Sequence, residues 1–524
     1  MNHTPKTRAL EWWREHAERG EYVVGKAALP GAAASRFLRA GGYILEVGGG
    51  IAWILARPLV DALPDALYPN YWRVVRVVLE AYAPAVVERT SAVRLYVDQF
   101  TAPERLSVRQ GANASNRVIE LVPGHEIVIR PGPVELDQSV ERRPFDVPIA
   151  VDDPAETLLG LPIEYLRDDP EAVAVWIKSL VVARPALDAA YARRPRPVVL
   201  KRLGRVAREV GNDRLADQVD EVLASEYSHF VGRSHTDRGP AFAVPAYVAG
   251  LRTTHNPWLD RQAATFARFR DQVEARVEER ERSLRRFDRA ELLGQARAAK
   301  AYDAYHSTTI EGYHISPDEV SAVIRGVAVG GHDPEEVRAR MAVAGYARAF
   351  ELVLGAVREA PGRLPIDLPL IQRLYLELFG PSVDAGIVPV DLLRGWRAEP
   401  AYLRGQIHVP PGPEKVPQLM AQYEALVNGI EARPIARAVL AHLEFVTIHP
   451  YADGNGRLAR FLMNAALLGE GLPWVTIRND DRSRYFAALR EAQVNGDPTS
   501  FTDFVMAYVR KAVETIGKEI DSER

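Results

Sequence analysis

The stretch from His449 to Arg460 reads His-Pro-Tyr-Ala-Asp-Gly-Asn-Gly-Arg-Leu-Ala-Arg and concentrates residue types that bind phosphate and move protons. His449 supplies an imidazole that titrates near neutral pH. Glycines around Asn455 allow the main chain to approach a ligand closely. Asp453 supplies a hard carboxylate of the kind that magnesium prefers, and Arg457 and Arg460 add permanent positive charge. This combination predicts phosphoryl or nucleotidyl transfer.

Two helices are predicted to position these residues. Apolar residues recur at helical spacing before His449, and Pro450 disfavours the α region for the histidine, so the first helix should end there. The same spacing resumes after Gly456, which makes the Gly-Asn-Gly turn a helix N-terminus. Free N–H groups and the helix dipole favour an anion at such a terminus. Each feature alone is more often an ordinary turn or a solvated helix face, so the prediction depends on their combination.

The string resembles the signature of the Fic family, His-Pro-Phe-x-Asp/Glu-Gly-Asn-Gly-Arg-x-x-Arg, at every fixed position except Tyr451, where the family usually has Phe. The resemblance implies protein adenylylation, in which ATP and a Tyr, Ser or Thr hydroxyl of a target protein give an AMP-protein and pyrophosphate. It implies that His449 is the general base, that Asp453 holds Mg²⁺, and that Arg457 neutralises charge on the leaving pyrophosphate. The residues that it assigns to ATP binding are Gly454, Asn455, Gly456, Arg457, Arg460, which orients the γ-phosphate, and Tyr485, which borders the base pocket.

A second short string precedes this one, from Ser307 to Gly312. Gly312 suits the position after a helix, and Ser316-Pro-Asp-Glu319 predicts the start of the next helix with a capping box. Glu311 then lies in the last helical turn, where the dipole disfavours a carboxylate unless a cation is nearby. The string resembles the Fic inhibitory motif, Ser/Thr-x-x-x-Glu-Gly/Asn. By that resemblance Glu311 pairs with Arg460 and blocks the γ-phosphate position, or positions water for removal of AMP.

The Fic resemblance covers about residues 290–508 and implies a mainly α-helical core with a β-hairpin flap. Gly395-Trp-Arg397 leads into Gln406-Ile-His-Val409 and two prolines, a hairpin-like stretch. In Fic proteins the corresponding flap pairs with a target segment by strand addition; the alternative is an ordinary hairpin. Before the core, residues 261–305 are predicted to form one long, charged helical segment.

The N-terminal region predicts a winged helix-turn-helix. Residues 32–39 form a short helix pattern with Arg36 and Arg39, and residues 43–55 alternate around three glycines as two strands and a turn. Arg36 and Arg39 are therefore predicted to contact duplex DNA. The arrangement is similar at the pattern level to the N-terminal module of AbiE-type antitoxins. The alternative is a winged helix that binds protein.

Four regions follow from these patterns. Residues 1–92 are predicted to be the winged helix domain and residues 93–228 a mixed α/β antitoxin-like module, with strands at 116–121 and 125–130. Residues 229–260 are predicted to be a linker. Residues 261–524 are predicted to be the Fic domain, with its inhibitory helix around 303–312.

Composition sets the remaining limits. The chain has 524 residues, of which 47% are hydrophobic and 26% charged, and its net charge of −3 indicates no global affinity for nucleic acid. It contains no cysteine, which excludes disulfides and thiolate chemistry. No signal layout or long apolar run is evident, so we expect no membrane span and a cytoplasmic location. A homodimer is left open.

Two other functions fit the sequence. In one, the chain is a DNA-binding autoregulator of a toxin–antitoxin or defence locus, with a silenced Fic half. In the other, the same scaffold transfers another nucleotide, such as UMP, or a phosphate group. The complete Gly-Asn-Gly-Arg-x-x-Arg string favours a triphosphate and hence AMP.

Overall fold

The computed structural model describes residues 4–57, 62–111, 114–136, 139–162, 169–227, 244–254, 256–327, 333–403 and 408–523. The chain divides into two compact units, one formed by Met1–Ala264 with Tyr402–Val409 and the other by Thr265–Ala401 with Pro410–Arg524. The boundaries predicted at residues 92 and 228 fall within the first unit and stay predictions. Most of the predicted linker, residues 229–243, and residue 255 lie outside the described residues.

The first unit begins with two helices and a small sheet. Helix α1 spans Pro5–Glu18 and α2 spans Ala32–Ala40, and strand β1 (Val23–Gly25) lies between them. Strands β2 (Ile44–Val47) and β3 (Ala52–Leu55) follow, and the antiparallel sheet has the order β1-β3-β2. The short helix and the hairpin at the glycines are therefore confirmed. All three glycines between β2 and β3 have positive φ, which permits so tight a connection.

A larger mixed sheet occupies the centre of the first unit. Its strands are β4 (Ala85–Val87), β5 (Arg105–Gln110), β6 (Arg117–Val122), β7 (His125–Pro131), β8 (Ser139–Arg142) and β9 (Ile149–Asp152), in the order β6-β7-β5-β4-β9-β8. The two strands predicted near residues 116–130 correspond to β6 and β7. Pairs β4–β9 and β5–β7 are parallel, and the other neighbours are antiparallel.

Further helices of the first unit lie before, between and after these strands in the sequence. They are α3 (Leu63–Ala81), α4 (Arg89–Tyr96), α5 (Pro154–Gly160), α6 (Pro170–Ser179), α7 (Arg184–Arg193), α8 (Pro197–Glu209), α9 (Asp213–Tyr227) and α10 (Ala246–Ala249). Their apolar faces and the sheet share one continuous core. The helical periodicity predicted for residues 153–225 is confirmed, because α5 to α9 lie in that range.

The second unit is helical. Its helices are α11 (Pro257–Arg282, which begins in the first unit), α12 (Arg289–Ile310), α13 (Pro317–Ile324), α14 (Pro334–Glu359), α15 (Leu368–Asp384), α16 (Val416–Gly429), α17 (Pro434–Ile448), α18 (Asn455–Gly469), α19 (Arg482–Arg490) and α20 (Thr499–Glu523). The prediction of one helical segment over residues 261–305 is wrong, because α11 and α12 are separate. Asp288 ends the break by capping α12 in a capping box with Glu291.

Helices α17 and α18 lie deepest in this unit, since nearly every side chain of both is buried. Helices α14 and α15 approach so closely that a Cβ atom on Gly345 would lie 1.9 Å from the Leu378 carbonyl oxygen. The predicted flap residues Gln406 and Ile407 lie outside the described residues. None of the helices that the structure describes has the length and apolar character needed to span a bilayer.

Candidate active site

His449 lies at the C-terminal cap of α17. Its main chain is left-handed (φ 53°, ψ 60°), and its N–H donates to the Phe445 carbonyl at 2.9 Å. The predicted helix end is therefore confirmed, since α17 stops at Ile448. A left-handed conformation is unfavourable for a residue with a Cβ atom, so contacts around the turn must hold His449 in place.

The turn from Tyr451 to Asn455 is closed by its own polar groups. The Asn455 side chain accepts from the Tyr451 N–H at 3.0 Å and donates to the Tyr451 carbonyl at 2.8 Å. Gly454 has φ 82°, and a Cβ atom there would lie 2.6 Å from the Phe379 ring. Since the side-chain amide of Asn455 is engaged at both ends, we expect Asn455 to contact a phosphate through its main-chain N–H.

Helix α18 begins at this turn, as predicted, and the Glu311 carboxylate lies at its N-terminus. A Cβ atom built on Gly456 would lie 2.5 Å from Glu311 Oε1. The first N–H groups of a helix and its dipole attract an anion, and here an internal carboxylate holds that position. The absence of a side chain at Gly456 therefore leaves room for an anion at the N-terminus of α18.

Arg460 binds both predicted inhibitory residues. Its Nη2 donates to Glu311 Oε1 at 2.7 Å and to the Ser307 carbonyl at 3.0 Å, and its Nε donates to Ser307 Oγ at 2.8 Å. The guanidinium is buried, which acts to lower its pKa. Glu311, with smaller contributions from Tyr485 and Tyr346, outweighs burial, so the pKa of Arg460 lies above its ordinary value.

The helix that carries Glu311 is anchored by Asp303, which the sequence analysis did not identify. Asp303 is buried and accepts hydrogen bonds from the Tyr346 hydroxyl at 2.6 Å and the Thr476 hydroxyl at 2.8 Å. Burial raises the pKa of this carboxyl, and the two hydrogen bonds act in the opposite direction. Asp303, Ser307 and Glu311 follow each other at four-residue spacing on one helix face. That polar spacing was the available signal.

Helix α12 ends as the sequence predicts. Glu311 is its C-terminal cap residue, and Gly312 follows with φ 93°. Ser316 then caps α13, with Pro317 in the first turn and Glu319 completing a capping box. The Glu311 carboxylate thus stands at a helix C-terminus, where the dipole disfavours it, and Arg460 supplies the compensating cation.

Asp453 and Arg457 lie on the open side of the turn. The Asp453 side chain is 60% exposed, accepts from the Gly454 N–H at 2.6 Å, and lies 3.5 Å from Arg457 Nη2. Arg457 is buried, and its guanidinium lies over the rings of Tyr313 and Phe379 at 5.4 and 5.0 Å. Because its carboxylate is accessible, Asp453 can bind an incoming cation, whereas Arg457 is fixed by its aromatic neighbours.

The residues fit Mg²⁺ that arrives with a nucleotide. Within the described ranges, no three His, Asp or Glu side chains come together as ligands for a metal ion. Magnesium in nucleotide sites commonly takes one or two carboxylates and completes its shell with phosphates and water. One exposed carboxylate next to an anion position is consistent with that arrangement.

Tyr485 is placed beneath Arg460. It is 1% exposed, its hydroxyl shares a 2.8 Å hydrogen bond with His442 Nε2, and its ring lies 5.9 Å from the Arg460 guanidinium. Burial, together with Arg460, lowers the pKa of His442 well below its ordinary value, so His442 is neutral. A contact of Tyr485 with a nucleobase stays a prediction.

The two arginines predicted to bind DNA lie on exposed positions of α2. Arg39 Nη2 pairs with Glu46 Oε2 at 2.8 Å, and its guanidinium lies 5.7 Å from the Trp53 ring. Glu46 belongs to β2, so Arg39 links the helix to the hairpin. Arg36 is one helical turn earlier and points to the same side of α2.

Comparisons with known proteins match part of this chain. The model of the Fic/DOC family matches residues 365–467. The protein adenylyltransferase Fic of Drosophila mojavensis is 30% identical over 315 residues, which cover 57% of this chain and 58% of that protein. The protein of the same name from Drosophila virilis is 32% identical over 216 residues, which cover 40% of this chain and 41% of that protein.

A solved structure of Fic-1 from C. elegans is 21% identical to this chain, with a TM-score of 0.39, and covers 69% of this chain and 100% of that chain. The chain spans less than two thirds of the length of the curated relatives that it matches.

Proposed function

We propose that this chain, whose residues 365–467 match the model of the Fic/DOC family, transfers AMP from ATP to a hydroxyl side chain of a target protein, under restraint by Glu311. One observation carries the proposal. The Glu311 carboxylate lies against Gly456 at the N-terminus of α18 and accepts a hydrogen bond from Arg460. An anion position, next to a histidine, is thus held by a residue of the chain itself.

In the reaction, the target hydroxyl oxygen attacks the α-phosphorus of ATP. A new oxygen–phosphorus bond forms, the bond to the β-phosphate breaks, and pyrophosphate leaves. His449 accepts the hydroxyl proton, because its ring is presented on a turn and not on a packed helix face. The N–H groups at the start of α18 and Arg457 stabilise the charge that develops on the phosphates.

Asp453 is the residue that would hold Mg²⁺, and the ion would neutralise phosphate charge. The carboxylate has a further task that the chain performs by itself. By accepting from the Gly454 N–H and lying near Arg457, Asp453 connects the turn before α18 to the first turn of that helix.

Restraint follows from competition for Arg460. The Nε and Nη2 groups of the guanidinium donate to Ser307 and Glu311, so this edge of Arg460 is not available to a γ-phosphate. The buried Nη1 has no hydrogen-bond partner among the described residues. A nucleotide bound without Arg460 would lack the contact that orients its phosphate chain. Replacing Glu311 by glycine is expected to release both Arg460 and the position at Gly456.

The test compares wild type with Glu311→Gly in the presence of magnesium and a target-containing lysate. A label on the α-phosphate of ATP should appear on protein in Glu311→Gly at roughly 10–100 times the wild-type level, because a hydrogen bond to a charged group contributes about 1.5–3 kcal/mol. A γ-phosphate label should not be transferred. Protein labelled only from the γ-phosphate would identify a kinase-like reaction, and labelling only from UTP would identify uridylyl transfer.

Removal of AMP is the other reaction that Glu311 can support, since a carboxylate next to the transfer site can position water. Target protein already bearing AMP should then lose it in the presence of wild type and not in the presence of Glu311→Gly. The same two variants therefore separate the two roles of Glu311.

The first unit has a candidate function of its own, DNA binding. The observation that favours it is the order of elements α1, β1, α2, β2 and β3, with Arg36 and Arg39 on the exposed side of α2. A winged helix places its second helix in the major groove. Such binding would make the chain a regulator at its own locus.

A further inference from the structure

Arg397 is a buried arginine whose guanidinium is bound to main-chain carbonyls. Its Nε donates to the His449 carbonyl at 2.8 Å, its Nη1 donates to the Glu399 carbonyl at 3.0 Å, and its Nη2 donates to the Pro411 carbonyl. The Arg397 N–H donates to the Pro450 carbonyl at 2.9 Å. Only 6% of the residue is exposed. One side chain therefore joins three separate parts of the main chain.

One of these parts is the turn that presents the general base. The left-handed conformation of His449 is unfavourable for a residue with a Cβ atom. The His449 N–H is bound to the Phe445 carbonyl, and the His449 carbonyl is bound to Arg397. Both main-chain groups of the histidine are thus bound, which fixes the position from which its imidazole extends.

The other two parts are the main chain at Glu399 and at Pro411. The planar guanidinium has donors in a fixed arrangement, so its three acceptors are held at fixed separations. A lysine, with one rotatable ammonium, cannot keep all three.

Burial lowers the pKa of Arg397 to about 10, with Glu414 acting in the opposite direction. The guanidinium therefore remains charged at neutral pH. Loss of the three carbonyl acceptors would leave an unpaired charge in a buried place, which is unfavourable. The three hydrogen bonds therefore stabilise the guanidinium as a set.

We propose that Arg397 is a positioning residue that holds the His449 turn at fixed distances from the main chain at Glu399 and Pro411. The inference rests on the proposed function. It assigns to Arg397 the placement of the general base and no contact with ATP. Loss of Arg397 should therefore impair catalysis at saturating substrate and leave nucleotide affinity intact.

Arg437 provides a matched control. It is 1% exposed, it donates to the Leu364 carbonyl at 2.8 Å and the Val427 carbonyl at 3.2 Å, and burial lowers its pKa to about 10 as well. Its acceptors lie outside the His449 turn and are not the carbonyls that Arg397 binds. An arginine that contributes only stability should behave like Arg437.

The experiment places Arg397→Lys, Arg397→Gln and Arg437→Lys in the full-length Glu311→Gly chain. Two readouts are taken, the kcat and KM of AMP transfer, and the titration of the His449 imidazole by NMR with ¹⁵N-labelled histidine, assigned by its loss in His449→Ala. Arg397→Lys should lower kcat about 10²-fold, the scale expected for a misplaced catalytic group, with the KM for ATP within about twofold. It should also shift the His449 titration, whereas Arg437→Lys should change neither.

Equal kcat values for Arg397→Lys and its parent, or equal effects of the two lysine variants, would overturn the proposal. The glutamine variant decides the matter if the lysine variant does not fold. The NMR titration keeps the two proposals separate. If the parent transfers no AMP, the proposed function fails, and an unchanged His449 titration in Arg397→Lys is then what rejects the positioning role.

Discussion

The rings of Tyr375 and Tyr451 stack with their centroids 3.7 Å apart and their planes 13° apart. Both hydroxyls are buried and lack a hydrogen-bond partner in the part of the chain that the structure describes. Burial raises the pKa of both phenols, so both remain neutral. This stacked pair lies directly under the turn that begins at His449.

The stacking leads to a prediction for Tyr451→Phe. An unsatisfied buried hydroxyl costs about 1–3 kcal/mol, and its removal leaves the ring contact intact. The variant should therefore be as stable as wild type or more stable by ~1 kcal/mol, measured by hydrogen exchange of α17 and α18. Tyr485→Phe is the control, because it loses the bond to His442 and should be destabilised. Equal destabilisation of the two variants would refute the prediction.

His449→Ala should reduce AMP transfer by roughly 10²–10⁴-fold, which is the contribution of a general base. The substitution removes the proton acceptor and leaves the start of α18 unchanged, so ATP affinity measured by calorimetry should stay within about twofold. The measurement is made in the Glu311→Gly chain, where transfer is expected to be high. Transfer at the parent rate would show that another group accepts the proton.

The gain from Glu311→Gly should depend on Arg460. The double variant Glu311→Gly with Arg460→Ala should lose the gain, since the released guanidinium is its source. Self-labelling with α-labelled ATP measures both variants, with Arg358→Ala as an exposed control that leaves the gain unchanged (Arg358 is 64% exposed). If labelling persists in the double variant, Glu311 acts through a different residue.

DNA binding by the first unit should weaken as salt rises. The slope of log K against log[salt] should decrease in magnitude by about one for each phosphate contact that is removed. Arg36→Ala should reduce the slope by about one. Arg39→Ala should have a smaller effect, because Arg39 already pairs with Glu46. Gel shifts of the full chain with duplex DNA at low and moderate salt provide the measurement. A chain that binds no DNA even at low salt would have a winged helix that contacts protein.

Asp152 gives the first unit a pH dependence. Burial raises the pKa of this carboxyl from 3.8 to about 7, although Arg109 acts to lower it. Between these two values the folded state binds more protons than the unfolded state, so stability falls as pH rises through that window. The free energy of unfolding should fall less with pH in Asp152→Asn than in wild type. The two falls should differ by more than ~1 kcal/mol, because one pKa unit corresponds to about 1.4 kcal/mol.

Hydrogen exchange of amides in β5 and β9 at pH 4 and pH 7 measures the effect within the first unit. Asp188→Asn is the control, because the Asp188 side chain is 47% exposed and should not change the pH dependence. The free energy of unfolding of wild type minus that of Asp152→Asn should fall from pH 4 to pH 7. If this difference is constant or rises with pH, the assignment of the pH dependence to Asp152 is wrong.

The parts of the site that were predictable from sequence are those formed by neighbours in the chain. The end of α17, the start of α18 and the caps around Gly312 each depend on a few consecutive residues. The pair between Glu311 and Arg460 was reached through the family resemblance, since 149 residues separate the partners. The helix dipole at the end of α12 indicates only that a cation should lie near Glu311.

The missed residues have distant partners. Arg397 was noted only as part of a string, because its acceptor His449 is 52 residues away. Asp303 binds Thr476 across 173 residues, and its four-residue spacing from Ser307 indicates a shared helix face but not this distant partner. The order of the six-stranded sheet was also not predictable from local patterns, because it depends on pairs of strands that are distant in the chain, such as β4 with β9. The break before α12 was readable from Asp288 and Glu291, a capping box that the charge pattern obscured.

The Glu311 carboxylate is attached to the same chain as the position that it holds, so under the proposed function it is a tethered competitor of ATP. A tethered group acts at an effective concentration set by its linkage, commonly millimolar for short flexible links. Helix α12 is fixed by Asp303, so the local concentration of Glu311 at Gly456 does not fall when the protein is diluted. Under that proposal, raising ATP alone should be an inefficient way to release Arg460. Loosening the hydrogen bonds of Asp303 to Tyr346 and Thr476 should release it more readily.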